Sequence, residues 1–134
     1  MGKALRWGIL GASNFALEHM LPAMQLSRNT KCVALATSSA NKAKPFLEIN
    51  QDITIYKGYD ALIQDTEVDA IYIPLPNHLH MEWAKKSINA GKHVLCEKPI
   101  AMHADEIDEL IYMRDNSGLL VAEAYMIVHH PQWQ

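Results

Sequence analysis

Six short apolar runs, alternating with segments of helical pattern, constrain this chain more than any other feature. The runs are LRWGILG (5–11), CVALATS (32–38), ITIY (53–56), DAIYIP (69–74), HVLCE (93–97) and LLVAEAY (119–125). Several are almost continuous in apolar residues, the pattern of parallel strands covered on both faces. Between them, apolar residues recur at three- and four-residue spacing. Leu17, Met20, Leu21 and Met24 make such a stripe within 14–27. Leu79, Trp83, Ala84 and Ile88 make another in 77–90, and Ala104, Ile107, Leu110 and Ile111 a third in 103–116. Shorter helices are predicted near 40–50 and 59–65. Asn77, after Pro76, has the chemistry of an N-cap, and Gly91 stands where a left-handed residue ends a helix. This alternation predicts an α/β fold, a doubly wound parallel sheet with strand order 3-2-1-4-5-6.

Composition narrows the partners. With 49% hydrophobic and 20% charged residues among 134, the chain has the make-up of one globular domain. A formal net charge of −3 argues against nucleic acid or an anionic membrane as the main partner. No apolar run approaches the roughly 20 residues that span a bilayer. The N-terminus MGKALRWGIL has no secretory pattern, and Cys32 and Cys96 both lie in apolar runs. Reduced core cysteines in a cytoplasmic protein are therefore expected. Seven histidines bring no carboxylate or cysteine cluster at ligand spacing, so no metal site is predicted.

The first strand runs straight into Gly11-Ala12-Ser13-Asn14-Phe15-Ala16 and then into a helix. The Rossmann fingerprint at such a junction is G-x-G-x-x-G/A. Gly11 permits the tight turn and Ala16 lets helix and strand approach closely, but Ser13 replaces the second glycine. A pyrophosphate would rest on the amides of Ser13, Asn14 and Phe15 at the positive end of the helix, with the serine hydroxyl as an added donor. After the second strand, NAD-specific sites use a carboxylate on the adenosine ribose. No acidic residue occurs between Glu18 and Glu48; the segment ATSSANKAK offers Thr37, Ser38, Ser39, Lys42 and Lys44 instead. Hydroxyls with an ammonium suit a 2′-phosphate, so NADP is favoured over NAD, with NAD left open.

YIPLPNHLHMEWA (72–84) and GKHVLCEKPIAM (91–102) lie at the carboxyl ends of central strands, where ligands bind in open α/β sheets. Together with WGILGASNFA and EAYMIVHHPQW, in this order and spacing, they resemble the glucose–fructose oxidoreductase / inositol dehydrogenase / MocA family. The resemblance runs from residue 5 to 133. It implies a two-domain NAD(P)-dependent oxidoreductase acting on sugars, inositols or related cyclic alcohols. It further implies that Lys98 of EKP contacts the substrate oxygen and assists proton transfer. Glu97 and Asn77 would line the nicotinamide ribose, Leu75 and Pro76 would lie against the cofactor, and Glu123 would sit near its nicotinamide end. His80 matches the second histidine of PNHLH and joins the cofactor-binding set. Ile127 and Val128 depart from the Tyr-Arg that the family often carries there.

An ammonium beside a nicotinamide polarises the carbon–oxygen bond that exchanges hydride, and partial burial would tune Lys98 as an acid or base. The resemblance places a nucleotide-binding domain at 1–125, with 126–134 opening the connection to a C-terminal α/β domain that supplies most of the substrate pocket. The expectation is thus a cofactor-binding domain, inactive alone, that takes a dinucleotide and, within the whole enzyme, a small polyol or sugar. A homo-oligomer is also expected, with apolar surface exposed near the sixth strand. A non-catalytic nucleotide-binding or assembly module is the alternative, supported by Ser13 and Val128. CoA in place of a dinucleotide is a more remote reading.

Overall fold

A computed structural model describes residues 2–125 and 129–133. The expectations for Ile127 and Val128 lie outside the described residues. Strands β1 (Leu5–Leu10), β2 (Thr30–Ala36), β3 (Thr54–Tyr56), β4 (Ala70–Ile73), β5 (His93–Glu97) and β6 (Val121–Ala124) form one sheet. Its order is β3-β2-β1-β4-β5-β6 and every pairing is parallel. The doubly wound sheet and its strand order are as the sequence predicts. β2 starts two residues earlier than the apolar run, because Leu5 and Arg6 pair with Thr30 and Lys31 at the sheet's wet end.

Alternation within the strands explains their near-continuous apolarity. Ile71 and Ile73 of β4 pack with Leu62, Trp83 and Ile88 on one face. Tyr72, between them, packs with Leu21, Met24 and Phe46 on the other. Each such Leu or Ile contributes about 1.5–3 kcal/mol by leaving water. The first face carries α3 (Tyr59–Ile63), α4 (His80–Asn89) and α5 (Ala104–Ser117). The second carries α1 (Leu21–Leu26), continuous with a π-helical turn at Ala16–Met20, and α2 (Ala40–Ile49). Gly91 and Gly118, at φ +80 and +72, end α4 and α5 as left-handed residues, Gly91 in the predicted place. A further single turn of 3-10 helix spans Pro131–Trp133.

Polar anchoring is concentrated at the amino ends of the strands. Arg6 holds both carboxylate oxygens of Asp69, and the Lys92 ammonium donates to the carbonyls of Asp65 and Val68 at 2.6 Å each. Buried Lys92 thereby compensates part of its desolvation with two charge-assisted bonds. This fixed floor leaves the carboxyl ends of the strands for loops, and those loops build the site.

Candidate cofactor and active site

Gly11 closes β1 with φ +96, a conformation that L side chains rarely adopt, and its amide donates to the Ala36 carbonyl at 2.9 Å. A Cβ there would lie 3.0 Å from Leu75 Cδ2. The turn is thus cradled from above, and only glycine leaves the space open. Ser13 also has a role inside the turn. Its Oγ accepts from the Ala16 amide at 3.0 Å, so it is the N-cap of the helix before it is anything to a ligand. The next amides, Asn14 and Phe15, stand in the first turn, where no intrahelical acceptor exists. Free amides in that position are what the fingerprint uses to seat an anion. The Phe15 ring turns aside onto His19, with centroids 4.9 Å apart, so Phe15 offers its backbone rather than its ring.

A cleft of about 250 Å³ opens over this turn, bounded by Gly11 to Ser13, Thr37 to Ser39, Lys42, Tyr59 and Pro74 to Pro76. Thr37 is buried, and its Oγ1 accepts from the Ser39 amide at 3.2 Å, so it shapes the loop from within. Ser39 caps α2 through the Lys42 amide at 3.2 Å. Ser38 and Lys42 are exposed and remain available to a ligand. Lys42 also borders a second cleft of about 370 Å³ on the far side of the turn, with Ala12, Asn14 and Asn41. Predicted residues from three loops, after β1, β2 and β4, therefore converge on one crevice.

The other cluster is a turn held from three sides. Lys98 and Pro99 are joined by a cis peptide after β5, and the Lys98 side chain is exposed. Below them, the Tyr72 hydroxyl donates to Glu97 Oε1 at 2.6 Å. Burial first, and then the Glu97 carboxylate, push the Tyr72 phenol well above its ordinary value, which keeps it a donor. On one side, His80 presents Nδ1 to the Pro99 carbonyl and Nε2 to the Leu75 carbonyl, each at 2.7 Å. On the other, Glu123 Oε2 accepts from the Ile100 amide at 2.9 Å.

Three expectations change here. His80 has no exposed surface and both ring nitrogens face the main chain, so it ties the two turns together. It opens α4 between the loops that follow β4 and β5, and that position buries it. Asn77 is not a cap. Pro76 is extended and occupies that position, while Asn77 begins a 3-10 turn (Asn77–Leu79) and is exposed. Lys98 is exposed rather than partly buried. Glu123 is committed to the turn. Tyr72 and Tyr59 were not singled out from the sequence. Tyr72 could have been found from the alternation in DAIYIP, which sets a lone hydroxyl among aliphatic neighbours that it must leave to find a partner.

The crevice fits a dinucleotide in its anion seat, in the space above Gly11 and in the polar groups after β2. Among the described residues, no group of three or more His, Cys, Asp or Glu side chains is placed to hold a metal ion. No described helix is long and apolar enough to cross a membrane.

Comparison with known proteins agrees. An uncharacterized oxidoreductase of Rhizobium meliloti is 42% identical over 129 residues, which are 96% of this chain and 39% of that protein. The dTDP-3,4-didehydro-2,6-dideoxy-alpha-D-glucose 3-reductase of Streptomyces violaceoruber is 42% identical over 128 residues, 96% of this chain and 37% of its own. Among solved structures, a 3-ketoreductase from Actinomadura kijaniata in complex with NADP superposes with a TM-score of 0.91 at 37% identity. That match covers 97% of this chain and 41% of the reductase. The chain therefore spans about two-fifths of the length of the relatives it matches. Residues 5–125 match the group described as "Oxidoreductase family, NAD-binding Rossmann fold", and the chain belongs to that family.

Proposed function

We propose that this chain is the cofactor-binding part of an NADP(H)-dependent oxidoreductase that moves hydride to or from a sugar, cyclitol or related alcohol or carbonyl. The observation that carries this reading is the pinned Lys98 turn, joined through Pro99, His80 and Leu75 to the wall of the Gly11 crevice. A bound nicotinamide would supply the carbon that gives or takes hydride. The chain's own residues bind, orient and handle the proton. Gly11 admits the phosphates, and the amides of Asn14 and Phe15 take their charge. Ser38 and Lys42 favour the 2′-phosphate of NADP, in a segment free of carboxylates. Asn77, Pro76, Leu75 and Glu97 border the expected nicotinamide side. Lys98 Nζ hydrogen-bonds the substrate oxygen and passes a proton as alcohol and carbonyl interconvert.

Residues 1–125 make up the cofactor domain in this reading, and 126–134 begin the connection to a second domain that completes the pocket. The chain alone then binds cofactor without turnover, because hydride transfer needs both reactants held in contact, an effect of about 7–11 kcal/mol. Buried thiols suit a reducing cytoplasm. Exposed Leu120 and Tyr125, which flank β6, support self-association. The test is Lys98→Ala in the protein that carries the remaining length of the family. Hydride transfer should collapse, with NADPH affinity nearly kept. An unchanged rate would remove the central residue and favour the non-catalytic module.

A further inference from the structure

Tyr59 opens α3 and belongs to no motif, yet it forms part of the wall of the Gly11 crevice. Its ring is fixed from behind. It meets Trp83 edge to face, with centroids 5.0 Å apart at 87°, and the far partner of Trp83 is the Lys86 ammonium, 4.3 Å from that ring's centroid. An edge-to-face pair of this kind holds orientation as well as area. The hydroxyl is thereby carried to the crevice: Tyr59 Oη lies 3.9 Å from the position a Cβ on Gly11 would take.

The other hydroxyls of this type nearby are already used. Tyr56 donates to Asp65 and Tyr72 to Glu97, each at 2.6 Å. No hydrogen bond to the Tyr59 hydroxyl occurs among the described residues. A rigid donor thus faces the space that the glycine keeps empty, beside the amides that seat an anion. We infer that Tyr59 donates its hydroxyl to the diphosphate bridge of the bound dinucleotide, closing the crevice opposite the helix N-terminus. This assignment rests on the cofactor reading above and adds a binding residue to it.

Tyr59→Phe separates the two, since it removes one oxygen and leaves the ring on Trp83. Titration of the 134-residue chain with NADPH, followed by nucleotide fluorescence, should show affinity about tenfold weaker in the variant. ADP should weaken by a similar factor, adenosine should be unaffected, and the ligand-free melting temperature should be unchanged. Equal NADPH affinity in the two proteins overturns the role of Tyr59 while leaving the cofactor reading intact. A wild-type chain that binds no NADPH overturns both. A lowered ligand-free melting temperature with equal loss for adenosine marks the hydroxyl as structural and also overturns the assignment.

Discussion

Replacing His80 with phenylalanine keeps most of the ring volume and removes both ring nitrogens. In the wild type each nitrogen lies 2.7 Å from a carbonyl, one on Leu75 and one on Pro99, and the side chain is wholly enclosed. At least one of these carbonyls then loses its donor, a cost of about 1–3 kcal/mol. With a urea slope of about 2 kcal/mol/M, a loss near 2 kcal/mol lowers the midpoint by about 1 M. Equilibrium urea unfolding, followed by tryptophan fluorescence and circular dichroism together, measures this directly. The turn should also loosen, since Pro99 loses its tie to the β4 loop while Glu123 still holds Ile100. Amide exchange should therefore quicken at Lys98 and Ile100, on either side of Pro99, before it does in β4. A midpoint within about 0.2 M of wild type, with unchanged exchange at Lys98 and Ile100, would refute the claim that His80 couples the two turns.

Other perturbations reach other parts of the account. Gly11→Ala places a methyl at φ +96, 3.0 Å from Leu75 Cδ2, and should cost about 1–2 kcal/mol, read as a lower melting temperature, along with NADPH affinity. Asp69 is held below its usual value chiefly by its hydrogen bond to Arg6, so its contribution is present above the unfolded value near pH 4. That contribution is lost as pH falls through the lower folded value, and Asp69→Asn should flatten this acid limb in urea titrations at stepped pH. Superimposable limbs would contradict it. Burial pushes the Cys32 and Cys96 thiols up to about 12, so neither should react with a thiol reagent at pH 8 until the chain is unfolded.

The sheet was legible because its information is local and repeated. Ile71, Tyr72 and Ile73 announce a strand buried on both faces, and Gly91 announces a helix end, whatever lies elsewhere. The turn after β1 was legible in the same way, through Gly11 and Ala16 on either side of a strand-to-helix junction. What escaped is set by contacts between distant residues. Tyr72 finds Glu97 and His80 finds Pro99 only once β4 and β5 are in register, which periodicity cannot supply. Ser13 stands where the fingerprint has its second glycine, and its capping bond to the Ala16 amide emerges only in the folded turn. Asn77 looked like a cap because its residue type suits one, but Pro76, already extended, takes the position.

A Gly11 turn that seats a dinucleotide should reveal itself in thermal unfolding of this chain with added nucleotide. At about 100 times its dissociation constant, NADPH should add about 2.7 kcal/mol and raise the midpoint on the order of 10 °C. NADH should need higher concentration for the same shift, and Gly11→Ala should lose most of it. No shift with either nucleotide would contradict the account.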